Sequence, residues 1–264
     1  NDTELMEHDD FKFCVANAQL FLGYCYRNGE EVEKDPSEAF VWMNKAAKNG
    51  NIDAMWNVSI LYHDGIGVSK DLSKAYDFLQ KAADKGSSNG AFYLGLMYLD
   101  GEFVKKDEVK AFYWTKKAAE SGFTTAELML GSLYYKQGVG TKQDYKKANE
   151  WLTKAANKGV PQALCDLGWS YYLGQGVSKN YPEALRLFSK ATEKNYPDGY
   201  NGIAYCKFYG FGTKKNEDEA ISLIDKAIEL SNNDNRFLDT KGEFYCKLGY
   251  IDKAKEIYDQ IVNN

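Results

Sequence analysis

This chain of 264 residues contains few prolines and few histidines, and its cysteines are not regularly spaced. It has four prolines and five cysteines, and its two histidines are His8 and His63. The cysteines are odd in number and scattered, a pattern that predicts neither a disulfide framework nor a metal cluster. Few prolines, together with long stretches rich in Ala, Leu, Lys and Glu, favour a helical protein.

Long apolar runs and an excess of positive charge are also absent. No run of 18 apolar residues occurs, so the sequence predicts no segment that inserts directly into a membrane. The net charge is −5, and the lysine pairs stand beside acidic residues, so nucleic acid is not an expected partner. The sequence begins at Asn1 rather than Met, as it would after removal of a leader or another segment, and it indicates no compartment.

Two alanines seven residues apart recur six times along the chain, in steps of 36 or 37 residues. Seven residues are about two helical turns, so both small side chains lie on one helix face, where another helix can approach closely. The six pairs are Ala39 and Ala46, Ala75 and Ala82, Ala111 and Ala118, Ala148 and Ala155, Ala184 and Ala191, and Ala220 and Ala227.

Each repeat carries a second helical pattern ahead of its alanine pair, such as Leu22, Gly23 and Tyr26 in the first repeat. A glycine-containing loop follows, and its first glycine is expected to end the first helix in a left-handed turn. These glycines are Gly29, Gly65, Gly101, Gly138, Gly174 and Gly210. An Asp or Asn six residues later is expected to cap the second helix. Each unit is therefore two antiparallel helices, and stacking the next pair buries their apolar faces.

With these residues in view, the chain resembles the Sel1-like repeats, a subgroup of the tetratricopeptide-type helical repeats. The match to "A...LG..Y..G.GV..D...A..W..KAA..G" is close in the units that begin near Ala16, Ile52, Ser88, Thr124 and Pro161. A sixth unit, near Tyr196, is looser and has Ala204 in place of the glycine. The resemblance implies an all-α fold, an α/α solenoid of antiparallel helix pairs that forms a right-handed superhelix.

The repeats divide the chain into three expected segments. Residues 1–15 are not assigned by the pattern, and residues 16–231 hold the six Sel1-like repeats. Residues 232–264 lack the long glycine-rich loop and look like an ordinary tetratricopeptide unit, which we expect to cap the stack.

The sequence gives little support for catalysis or for a bound cofactor. The Gly-x-Gly loops follow helices rather than strands and lack the third glycine of a nucleotide-binding loop. No Cys or carboxylate cluster joins His63 at a metal-ligand spacing, and no base that would activate a cysteine is recognisable. We therefore expect no enzymatic activity, no cofactor and no metal.

Positions that vary between units are better candidates for partner recognition than those that stay the same. The repeated tyrosines, such as Tyr62 and Tyr98, meet the same neighbour in every unit and are interpreted as packing residues. The family resemblance places groove positions at offsets −6, −3, +1, +4 and +5 from the Leu-Gly glycine. The candidate partner-binding residues at these offsets are Trp56, Phe92, Tyr135, Trp169, Tyr172, Tyr205 and Phe208. For each of them, packing against an adjacent helix is the alternative.

The sequence therefore predicts a non-enzymatic scaffold or adaptor that holds a partner protein or an extended peptide in its concave groove. One alternative is an immunity-type or inhibitory protein that wraps and blocks a toxin or an enzyme. Another is a self-assembling structural protein, in which an open terminal repeat stacks on a second copy.

Overall fold

The computed structural model describes residues 2–263 and, within them, the side chains of residues 11–133 and 138–262. Fourteen α-helices and no β-strand occur in residues 2–263, which confirms the all-α prediction. In chain order, α1 to α14 are Asp2–Asn28, Pro36–Lys48, Ile52–Asp64, Leu72–Asp84, Ser88–Asp100, Glu108–Glu120, Thr124–Gln137, Tyr145–Asn157, Pro161–Leu173, Tyr181–Thr192, Pro197–Tyr209, Glu217–Leu230, Asn235–Lys247 and Ile251–Asn263.

The helices pack in consecutive pairs within two compact units. The first unit is Asn1–Ala126 with Val139–Thr141, and the second is Glu127–Gly138 with Lys142–Asn264. In the first unit each helix from α1 to α5 packs on the next, and in the second unit each helix from α8 to α13 does so. Among the first helices of successive pairs, α11 also contacts α9 and α13. This pairwise stacking is the α/α solenoid architecture that the sequence predicts.

A side-chain cap begins each second helix, as predicted. The cap oxygen accepts hydrogen bonds from backbone N–H groups in the first turn of the helix. In the first repeat, for example, Asp35 accepts from the N–H groups of Ser37 and Glu38. The six capping residues are Asp35, Asp71, Asp107, Asp144, Asn180 and Asn216.

The loop glycines have two separate roles. The first one ends the helix in the left-handed conformation, as at Gly65, where φ is 72°. The second one allows close contact between repeats. A Cβ on Gly67 would lie 1.9 Å from the carbonyl oxygen of Pro36, and one on Gly176 would lie 2.5 Å from that of Tyr145. The loop of one repeat therefore rests on the start of the second helix in the repeat before it.

The glycine in the Leu-Gly pattern brings the two helices of one repeat together. A Cβ on Gly23 would lie 2.5 Å from Cγ of Met43, and one on Gly131 would lie 2.5 Å from Cγ of Leu152. The second alanine of every pair is fully buried. These small residues remove the bulk that would otherwise keep the helices apart.

Candidate partner-binding surfaces

Helices α3 and α5 of the first unit border a pocket of about 380 Å³. Its apolar half is formed by Trp56 and Ile60 of α3, by Tyr93 and Leu96 of α5, and by Leu79 of α4. The Trp56 and Tyr93 rings pack with their centroids 4.4 Å apart. Tyr93 is nevertheless 43% exposed, and Trp56, Ile60 and Leu96 are only partly buried. An apolar surface therefore stays accessible on two neighbouring first helices.

Four ionisable side chains form the other end of this pocket. Asp64 and Asp100 are the last residues of α3 and α5, and Glu102 lies in the loop that follows α5. Nδ1 of His63 lies 2.6 Å from Oδ1 of Asp64, and Nε2 lies 3.2 Å from Oε1 of Glu102. The C-terminal ends of two helices add negative potential at the same place.

Both ring nitrogens of His63 face carboxylate oxygens, and both can donate hydrogen bonds only when the imidazole is protonated. The hydrogen bond to Asp64, supported by the one to Glu102, raises the pKa of His63 above its usual value of 6.5, although partial burial opposes this. The protonated ring therefore links the two carboxylates.

Three aromatic side chains form a cluster on first helices of the second unit. The Trp169 ring meets the Tyr172 ring edge-on at a centroid distance of 5.2 Å and the Tyr205 ring at 5.4 Å. All three are partly exposed. Trp169 also contacts the fully buried Phe188, which fixes its position on the core. We call these three residues the aromatic cluster.

A carboxylate from the C-terminal helix pair orients the edge of the aromatic cluster. The hydroxyl groups of Tyr205 and Tyr209 donate hydrogen bonds of 3.0 Å and 2.9 Å to Glu243 of α13. Burial, and then the hydrogen bond to Glu243, raises the pKa of Tyr205 to about 12. Both phenols therefore stay protonated in the neutral range and act as fixed hydrogen-bond donors.

Two of the predicted partner-binding residues, Phe92 and Phe208, are buried, which agrees with the alternative of packing against adjacent helices. Phe208 is 4% exposed because it stacks on Phe244 of α13 at a centroid distance of 4.1 Å. Phe92 is 6% exposed and packs against Phe123, with 5.0 Å between the ring centroids. The side chain of Tyr135 lies outside the described residues.

A family model described as the Sel1 repeat matches six consecutive segments of the chain. The matched segments are 16–51, 52–87, 88–123, 124–160, 161–196 and 197–232. The chain belongs to the Sel1 repeat family. This confirms the resemblance that the Leu-Gly and alanine patterns indicate.

Solved structures of two bacterial proteins are similar to this Sel1 repeat chain. A protective antigen of uropathogenic Escherichia coli with an SLR fold is 29% identical, with a TM-score of 0.79. The match covers 100% of this chain but 56% of the antigen, so the chain spans little more than half the antigen's length. A Sel1 repeat protein from Oxalobacter formigenes is 32% identical, with a TM-score of 0.69, over 81% of this chain and 87% of that one. No curated protein sequence matches the chain.

The repeated tyrosines of the Sel1 pattern lie against other aromatic rings. Tyr62 is 9% exposed and sits between Phe40 and Phe78, with centroid distances of 5.2 Å and 5.9 Å. Tyr98 is 8% exposed, and its hydroxyl lies 2.8 Å from that of Tyr76. The interpretation of these two tyrosines as packing residues agrees with their burial.

No metal-binding group is assembled among the described side chains of this Sel1 repeat chain, and Cys165 and Cys206 are buried. The side chains of residues 11–133 and 138–262 contain no group of three or more His, Cys, Asp or Glu placed to hold a metal ion. Burial raises the pKa of the Cys206 thiol to about 11 and also raises that of Cys165. Both thiols are thus kept protonated, unlike a nucleophilic cysteine. No helix within residues 2–263 has the length and apolar character needed to cross a bilayer.

The groove offsets locate six of the twelve residues that line the pocket and miss the other six. The six that they place in the pocket are Trp56, Ile60, His63 and Asp64 of the second repeat and Leu96 and Asp100 of the third. The residues outside the offsets are Ser59, Ala75, Leu79, Tyr93, Met97 and Glu102. Glu102 belongs to the loop, and a helical period cannot place a loop residue.

Proposed function

We propose that this chain is a non-enzymatic scaffold whose first helices bind a partner protein or an extended peptide. Sel1 repeats form a scaffold typical of protein–protein interaction, and members of the family are generally non-enzymatic. In this chain, the partner meets the first helices and is anchored by their partly exposed aromatic side chains.

The partly exposed aromatic cluster is the observation that carries this proposal. Solubility alone favours polar residues on an open helix surface, yet Trp169, Tyr172 and Tyr205 remain accessible to solvent together. Large, rigid aromatic side chains dominate the energetics of protein interfaces because they bury much area at little entropic cost. Their contacts with one another and with Phe188 hold them in place before a partner arrives.

The pocket of the first unit also supports binding on first helices. Trp56 is retained here as a proposed contact, together with Ile60 and Leu96. Tyr135 also stays a prediction, whereas the buried Phe92 and Phe208 are no longer proposed as contacts. Both retained surfaces lie on first helices, so a partner that uses either one meets the same kind of helix.

Variant affinities on a captured and identified partner test the proposal. Trp169→Ala should weaken binding by about 2 kcal/mol, roughly 30-fold in Kd, because it removes a central anchor. Lys190→Ala, an exposed change on the second helix α10, is the control and should bind like the wild type. Calorimetry gives the Kd values, and circular dichroism checks that each variant is folded. Equal affinities of two folded variants would contradict the proposal.

The identity of the partner also separates the adaptor role from the immunity-type alternative. An immunity-type protein should abolish the activity of a toxin or enzyme at a one-to-one ratio. An adaptor should bind its partner and leave any activity of that partner measurable.

A further inference from the structure

The pocket between α3 and α5 combines an apolar end with an anionic end. Trp56 and His63 are seven residues apart on α3, so the two ends are separated by about 10 Å along the helix. A ligand that fills the pocket along its length must therefore carry an apolar group at one end and, about 10 Å away, a group that pairs with carboxylates.

The carboxylates outnumber the positive charge at the anionic end. Asp64, Asp100 and Glu102 supply three negative charges, and His63 supplies at most one positive charge. Asp64 and Glu102 keep side-chain exposures of 46% and 47%, and Asp100 is also exposed. All three are thus open to a charged group that arrives from solvent.

We propose that this pocket binds an extended segment of a partner protein that carries a bulky apolar side chain and, two or three residues away, a lysine or an arginine. Three residues of extended chain span about 10 Å, which matches the distance between the two ends. The apolar side chain lies between Ile60 and Leu96, next to the Trp56 ring. The cationic side chain reaches Asp100 and Glu102.

Charge complementarity selects this occupant over others. An acidic segment would be repelled by the three carboxylates, and so would the phosphates of a nucleic acid. A wholly apolar segment would cover Asp100 and Glu102 without pairing them, which costs free energy of desolvation. A basic group pairs with these carboxylates and also lies at the negative ends of α3 and α5.

This proposal rests on the proposed function, since it assumes that first helices bind a partner segment. The probe is a phage-displayed library of random twelve-residue peptides, selected on the folded full chain. We expect the retained peptides to share an apolar residue and a Lys or Arg two or three positions apart. Synthetic copies of these peptides then give Kd values by fluorescence anisotropy, and their binding should weaken as salt is added.

Charge reversal at one position distinguishes recognition from a structural effect. Asp100→Lys should weaken binding of a selected peptide about tenfold. A peptide in which Glu replaces the basic residue should bind Asp100→Lys about as tightly as the original peptide binds the wild type. A lysine at a helix C-terminus is favourable, so this variant should fold. Asp77→Lys, on the exposed surface of α4, is the matched control and should change neither affinity. Leu96→Ala should weaken binding about tenfold without altering the preference for charge.

The remaining outcomes overturn the proposal in distinguishable ways. Peptides without the apolar–basic pair, or peptides that bind Asp100→Lys as tightly as the wild type, show that this pocket does not select such a segment. If the peptides bind through the aromatic cluster and are lost only on Trp169→Ala, the pocket proposal fails while the proposed function stands. If light scattering shows a dimer that Leu96→Ala dissociates, the occupant is a second copy. If no peptide is retained above a surface without the chain, the pocket proposal fails, while the proposed function is decided separately by the affinity of Trp169→Ala for the identified partner.

Discussion

Single glycines in the loops of this protein are needed for packing between repeats as well as for backbone freedom. Gly67 and Gly86 both have positive φ, at 69° and 93°. A Cβ on Gly67 would meet the backbone of Pro36, whereas a Cβ on Gly86 would meet nothing within 4 Å. The two positions therefore separate backbone strain from collision with the neighbouring repeat.

Gly67→Ala should destabilise the protein much more than Gly86→Ala. Both variants place an alanine in the left-handed region, at a cost of about 1 to 2 kcal/mol. Gly67→Ala also pushes a loop away from α2, which adds about 1 to 3 kcal/mol or more. Urea unfolding of both variants and the wild type measures the difference. Equal losses would mean that the loop can shift without disturbing the repeat before it.

His63 should contribute stability that depends on pH. Its pKa in the folded protein is raised above 6.5, first by the hydrogen bond to Asp64, so the contribution is fully present below pH 6.5 and is lost as the pH rises through the folded pKa. Asp64→Asn should therefore lower the melting temperature more at pH 6 than at pH 9, and an NMR titration should show a lower pKa for His63. A deficit that is the same at both pH values would contradict this account.

The burial of individual aromatic residues in the candidate site could not be predicted from the sequence. Tyr172 and Phe208 both occupy offset +4 and are both aromatic, yet only Tyr172 remains partly exposed. Phe208 is covered because Phe244, some 36 residues later, stacks on it. Contacts between repeats decide such differences, and a pattern defined within one repeat does not contain them.

Helix limits, in contrast, follow from local sequence rules. In the six repeats each second helix begins after an Asp or Asn cap, and glycines such as Gly65 end first helices. Both effects act over a few residues, so the helix count and the packing in pairs can be predicted from sequence. The first and third repeats depart from the loop pattern, with Glu31 at φ 62° and Phe103 at φ 65° where the other repeats have the second glycine. The Phe103 ring packs 5.9 Å from that of Tyr76.

The C-terminal helix pair α13 and α14 should be required to keep the sixth repeat folded and soluble. Phe237 and Phe244 of α13 lie in one core cluster with Phe208, Ile224 and Ala227. Removal of residues 232–264 would expose this cluster and leave Tyr205 and Tyr209 without Glu243, so we expect aggregation and a lower melting temperature. Phe244→Ala alone should cost about 3 to 5 kcal/mol of stability.

Size-exclusion chromatography with light scattering tests this prediction. A shorter truncation that removes only residues 260–264 is the control and should keep the stability and the oligomeric state of the full chain. If the chain that ends at residue 231 were equally stable and monomeric, α13 and α14 would not be a cap.

The whole molecule offers candidate binding surfaces on the first helices of both units. The pocket in the first unit is apolar at one end and anionic at the other, while the second unit presents the aromatic cluster beside Glu243. The second helices instead supply the buried alanine pairs. Within each unit, one set of helices provides packing and the other provides variable side chains.

Hydrogen exchange of the amide groups, with and without the identified partner, tests the central claim most directly. Because a bound partner excludes water and restrains the helices it contacts, we expect protection to increase on first helices, with α9 and α11 or α3 and α5 strongest. Exchange on the second helices α4 and α10 should change little. If the partner instead protected α4 and α10 and left the first helices unchanged, the binding face would be the opposite one and the account would be wrong.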